Sequence, residues 1–133
     1  MDLELKNNIS IIRRDRNSRG GGVGIAFDKS RSTFAKIKLK SLVKSGLEIL
    51  PVSGKVHGFK RVHVIFSCYI PPSYNALDNA RFFDKLADAV SEARTKFPEA
   101  WITVGGDWNR RDLKPVLDVF PDLKLIASCQ DPL

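Results

Sequence analysis

Three observations predict a mixed α/β domain. Residues 61–70 alternate as an extended chain does, with Val62, Val64, Phe66, Cys68 and Ile70 on one face and Ile65 and Tyr69 on the other, so both faces of this strand are expected to be covered. In residues 78–97 the period changes to three and four, and Phe83, Leu86, Val90, Ala93 and Phe97 form one apolar stripe of a helix. Residues 101–105 then return to a short apolar run ending in glycine. Strand, helix and strand in that order imply a crossover between parallel or near-parallel strands. Parallel strands place their C-terminal ends along one edge of the sheet.

The earlier elements follow in chain order. Ile9 to Arg14 is a short β-branched strand, residues 14–20 are polar turn material, and Gly22 to Phe27 resumes an apolar strand, so the three make a hairpin. Gly20, Gly21, Gly22 and Gly24 do not complete a dinucleotide fingerprint, because Ile25 stands where the third glycine would fall and no Gly-Lys-Ser/Thr follows. They read as a tight turn with close strand packing. A strand over about residues 34–40 alternates Lys36, Lys38 and Lys40 with Ala35, Ile37 and Leu39. Its lysines, with Lys44, are either an ordinary solvated face or part of a surface for a polyanion. Residues 47–52 are a further strand, placed at an edge or a bulge by Pro51, and residues 53–60 are a loop carrying Gly54 and Gly58.

The long strand stops at Pro71-Pro72, and the helix is capped by Asp78 or Asn79 and closed by Pro98. Beyond residue 105, a short helix is expected from Asp112 through Val116, Leu117 and Phe120, with Pro115 in its first turn. Residues 123–127 are a last strand.

A length of 133 residues suits one domain, and 43% hydrophobic with 28% charged residues is the composition of a globular protein, not of a disordered or membrane one. No stretch approaches the roughly 18 apolar residues of a spanning helix, and the first residues lack the pattern of a signal peptide, so no membrane partner and an intracellular location are expected. Cys68 and Cys129 read as a buried thiol and an incidental residue, not a disulfide framework. The net charge of +7, from 22 Lys and Arg against 15 Asp and Glu, favours a polyanionic partner and raises nucleic acid above acidic small molecules. Arg13, Arg14, Arg16 and Arg19 are grouped in the hairpin, and Arg110 and Arg111 follow the last glycine turn.

That turn, Gly105-Gly106-Asp107-Trp108-Asn109, is where chemistry is expected. Two glycines let the backbone turn sharply at the strand end, and put a carboxylate and an amide two residues apart. Asp107 offers the oxygen ligands a hard divalent cation prefers, and Asn109 can donate to a phosphate oxygen. The alternative is a capped turn, in which both side chains hold backbone groups. Tyr69, at the end of the parallel strand, is either a phenol sharing that cleft or an aromatic packed at the sheet end.

The segments 14–23, 67–72 and 105–111, in that order and with appropriate gaps, resemble the endonuclease domain of non-LTR retrotransposons. That domain belongs to the superfamily of exonucleases, endonucleases and phosphatases that includes apurinic/apyrimidinic repair endonucleases. The resemblance implies an α/β (α+β) fold, a four-layer sandwich of two mixed β-sheets flanked by helices, and Mg²⁺- or Mn²⁺-dependent cleavage of phosphodiesters in DNA. It implies that Asp107 is the metal-side aspartate that orients or deprotonates water. Asn109 would hold the scissile phosphate, Tyr69 would contact it, and Trp108 would fill a packing position usually held by phenylalanine. His57 and His63 match no catalytic histidine, and Pro72 replaces an asparagine common in repair enzymes.

The family's metal-anchoring glutamate precedes the matched part and its catalytic histidine follows it, so residues 1–133 are expected to be a single partial sandwich domain. Its partners by resemblance are DNA and the remainder of a retroelement polyprotein with reverse transcriptase, and its location nuclear. Three functions are thereby open: a part of a metal-dependent endonuclease domain, a non-catalytic module binding nucleic acid through Arg13, Arg14, Arg16, Arg19, Arg110 and Arg111, or an inert structural remnant.

Overall fold

A computed structural model describes residues 8–15, 22–109 and 118. The mixed α/β expectation holds: the described residues form sheets of two and four strands with one α-helix. Strands β1 (Ile9–Asp15) and β2 (Gly22–Asp28) pair antiparallel from Ile9↔Asp28 to Asp15↔Gly22, which is the expected hairpin. The larger sheet is built from β3 (Ser32–Lys36), β4 (Ile49–Val56), β5 (His63–Tyr69) and β6 (Trp101–Asp107), in the spatial order β3-β4-β5-β6. The first three are antiparallel neighbours, whereas β5 and β6 are parallel and joined by helix α1 (Ala76–Lys96).

Two strands differ most from their expected bounds, and β6 runs two residues past its expected end, through both glycines to Asp107. The lysine-rich segment is β-strand only to Lys36; Leu39 is then drawn into the core, and a single 3-10 turn follows at Lys40–Leu42. The expected loop from Ser53 is instead the second half of β4, paired with β3 as far as Ser32↔Val56. Pro51 is not on an edge strand, since β4 has a neighbour on each side. Its carbonyl accepts from Ile37 N at 3.1 Å, just beyond the last β3 pair, Lys36↔Val52. Because a strand residue turns its N–H and C=O to the same side, the missing donor of Pro51 falls where β3 has already ended.

The cap of helix α1 is Asn75, three residues before the first of the expected caps. Asn75, in an extended conformation, accepts from Asp78 N at 2.8 Å, and the Asp78 carboxylate accepts from Asn75 N at 3.2 Å. Asp78 is therefore the reciprocal partner of a capping box and not the cap itself. The apolar stripe of α1 lies against the β5 face bearing Val64, Phe66 and Cys68, with Phe82, Leu86 and Val90 fully buried there. Each such large side chain stabilises the fold by about 1.5–3 kcal/mol. On the opposite face the hairpin packs over β3, β4 and β5, where Leu50 and Val52 are buried and Phe27 meets Phe34 edge-on at 5.4 Å. Two polar contacts fasten this layer: Arg14 Nη1 donates to Ile49 O at 3.2 Å, and Ser67 Oγ donates to Gly24 O at 3.0 Å.

A carboxylate from the helix holds the 3-10 turn. Glu92 accepts from Lys40 N at 2.7 Å, Ser41 N at 3.0 Å and Ser41 Oγ at 2.8 Å. Burial alone would raise the Glu92 carboxyl, but these hydrogen bonds, with Lys96 alongside, outweigh it and hold the group below the usual carboxylate range. The expected helix and strand at residues 112–127 lie outside the described residues. Among the described residues no helix is long and apolar enough to cross a membrane.

Candidate functional site

The parallel pairing of β5 and β6 runs from His63↔Trp101 to Tyr69↔Asp107. Tyr69 and Asp107 are thus side by side at the C-terminal edge, as the strand-helix-strand order predicts, and register partners share a face of the sheet. Gly106 makes this approach possible. It has φ +148°, and a Cβ there would sit 1.9 Å from Cys68 O on the neighbouring strand. A Cβ on Gly105, beside it, would meet nothing within 4 Å. Only the second glycine of the pair is demanded by the backbone.

Beyond Asp107 the chain folds back on itself. Asp107 Oδ1 accepts from Asn109 N at 3.0 Å, an Asx turn, and Asn109 takes φ +47°. The Asn109 side-chain amide donates to Ile70 O on the end of β5, while Ile70 N donates to Asp107 O at 3.0 Å. The carboxylate and the amide therefore brace the turn and lash it to the adjoining strand. Trp108, between them, is half-buried, stacked on Phe83 at 6.4 Å and edge-on to Phe82 at 6.5 Å. It has the packing role expected of it.

Of the two alternatives the sequence leaves for Asp107 and Asn109, these contacts are those of the capped turn. They bear on a Mg²⁺ or Mn²⁺ centre as well. Across the β5–β6 pair Asp107 faces Tyr69, not a second carboxylate, and one of its oxygens holds Asn109 N. Among the described residues no group of three or more His, Cys, Asp or Glu could hold a metal ion. Among the described residues this turn offers one carboxylate, where a Mg²⁺ site usually combines one or two with phosphate oxygens and waters.

The arginines divide. Arg13, on the exposed side of β1, pairs with Asp15 at 3.0 Å, and this hydrogen bond, with the charge of Asp15, raises the guanidinium pKa. Arg14 points the other way, to Ile49 O, and helps dock the hairpin. Arg16, Arg19, Arg110 and Arg111 lie outside the described residues. Lys36, Lys38, Lys40 and Lys44 are exposed, as a solvated face requires. Cys68 is buried, and burial pushes its thiol far above the usual range, which makes it a packing residue and not a nucleophile.

The opposite end of β5 and β6 holds a cluster that the sequence pattern alone does not single out. Phe59 and Arg61 come from the segment entering β5, His63 is the first residue of β5, and Trp101 is brought beside His63 by the parallel register. A legible signal exists in Phe59 set among His57, Lys60, Arg61 and His63, but Trp101 joins them only through the fold.

No family model matches the chain, and no curated protein or solved structure matches it either. Together with the donor set just described, this corrects the descriptive terms that the resemblance supplied. The terms endonuclease, nuclease, magnesium and retrotransposon find no support in these comparisons or, among the described residues, in a metal-ligating cluster.

Proposed function

We propose that this chain is a non-catalytic basic module that binds the phosphodiester backbone of nucleic acid, DNA in the first instance. Charge carries the proposal: 22 Lys and Arg stand against 15 Asp and Glu. Neutralising phosphates releases condensed counterions, so a surface of this kind gains affinity without touching the bases. Arg13, Arg16, Arg19, Arg110 and Arg111 are assigned to the phosphates, with the exposed lysines 36 and 38 as auxiliaries. Arg14 leaves that set, because its guanidinium is engaged in hairpin docking. Asp107 and Asn109 serve the module by fixing the turn from which Arg110 and Arg111 continue.

The finer architecture belongs to the same proposal. Hairpin, four-stranded mixed sheet and helix are taken as three layers of a four-layer sandwich of two mixed sheets flanked by helices. In its support stand the helix on one face of the larger sheet and the hairpin on the other.

Fluorescence anisotropy with a labelled duplex, from about 50 to 200 mM salt, tests the function. The expected affinity falls linearly on a log–log plot, and replacing Arg110 and Arg111 by Gln lowers the slope by about 1 for each phosphate that is no longer neutralised. Failure to bind at the lowest salt, or binding indifferent to salt, refutes the proposal.

A further inference from the structure

We infer that Phe59, Arg61, His63 and Trp101 form a platform on which bases of single-stranded nucleic acid stack, an inference that rests on the nucleic-acid reading above. The three rings are consecutive: Phe59 meets His63 edge-on at 5.5 Å, and His63 meets Trp101 at 6.1 Å with a tilt of 32°. The Arg61 guanidinium carbon lies 5.8 Å from the Trp101 ring centroid. Phe59 is 57% exposed and Trp101 52%, so two large aromatic residues meet at the surface around a single histidine. Scattered exposed apolar residues need no explanation, but adjoining aromatic rings under a guanidinium do.

The backbone holds the cluster in place. Phe59 N donates to Val56 O at 3.0 Å, Gly58 takes φ +88°, and Trp101 N donates to Val62 O at 2.9 Å. His63 Nε2 is buried with no hydrogen-bond partner among the described residues.

Charge chooses the occupant. From residue 49 to residue 77 the sequence has no acidic residue, while Lys55, His57, Lys60 and Arg61 are all exposed there. Glu99, two residues before Trp101, is the nearest acid in sequence. An anionic ligand with flat apolar faces suits this surface, and the bases of a single strand, unlike those of a duplex, are free to stack on it. The platform is distinct from the Asp107 turn, which lies about 20 Å away at the far end of the seven-residue strands.

Anisotropy titrations of the whole chain with labelled oligo(dT), an abasic oligonucleotide of the same length, and inorganic polyphosphate test the inference. Oligo(dT) is expected to bind at least about 5-fold more tightly than its abasic counterpart, since one stacked base is worth that factor or more. Phe59→Ala and Trp101→Ala are each expected to weaken oligo(dT) by roughly 5- to 140-fold, with polyphosphate affinity unchanged and Trp101→Phe restoring most of the loss. Equal wild-type affinity for oligo(dT) and the abasic strand overturns the platform while leaving backbone binding intact. Unaltered oligo(dT) affinity in both alanine variants overturns it as well. Absence of binding to every one of the three ligands removes the nucleic-acid reading and the platform together.

Discussion

Replacing Asn109 separates a turn-bracing amide from one reserved for a ligand. Its side chain donates to Ile70 O across the strand ends, and its backbone sits at φ +47°. The part-buried hydrogen bond is worth about 0.5–1.5 kcal/mol net, and alanine in the left-handed region loses a further 1–2 kcal/mol, roughly, which asparagine largely avoids. Asn109→Ala is therefore expected to destabilise the fold by about 2–3 kcal/mol. Asn109→Gly forfeits the hydrogen bond but accepts the backbone, so its expected loss is about 1 kcal/mol. Urea unfolding followed by far-ultraviolet circular dichroism gives both numbers, and tryptophan fluorescence reports on Trp108, which the same turn presses onto Phe83. The expected order of stability is wild type, glycine variant, alanine variant. An alanine variant within about 0.5 kcal/mol of wild type, or one more stable than the glycine variant, refutes the bracing role.

The paired glycines give a second, internal comparison. Gly106→Ala drives a methyl group against Cys68 O at a backbone angle other residues rarely adopt, for an expected loss of about 3 kcal/mol or more, whereas Gly105→Ala meets nothing and stays within about 0.5 kcal/mol. Thermal melts of the two variants check this, and equal effects contradict the assigned close approach. Glu92→Ala leaves Lys40 N and Ser41 N without their acceptor and is expected to cost about 2 kcal/mol at pH 7. Because the folded carboxyl lies below its unfolded value of about 4.3, its contribution is complete above that pH and fades as pH falls through the folded value. Urea titrations at falling pH should show the gap between wild type and variant closing below about pH 4; a gap constant down to pH 3 counts against it.

Local pattern carried much of this fold. The helix period, the β5 alternation and the hairpin were readable because each depends on residues within one turn or one strand of each other. The adjacency of Tyr69 and Asp107 followed as well, since a strand-helix-strand order aligns the strand ends. Segments whose state depends on distant partners were not legible in the same way. Leu39 leaves the lysine alternation because a core and the carboxylate of Glu92, 52 residues after Lys40, pull the chain into a tight turn. Pro51 signals an edge only in the absence of neighbours, and here β3 ends one residue before its missing donor would be required.

The turn at Gly105 to Asn109 shows the division most clearly. By itself the sequence determined that a strand ends within this segment and that a carboxylate and an amide lie within reach of one another, but β6 runs through both glycines and the backbone turns only at residues 107–109. Whether that amide faces outward to a phosphate or inward to Ile70 O, 39 residues earlier, was decided only when β5 and β6 came into register. The same register made a surface cluster of Trp101 and His63 out of residues 38 apart in the chain. Spacing fixes which groups are near along the backbone, but a hydrogen bond goes to the nearest unsatisfied partner in space, and packing chooses that partner.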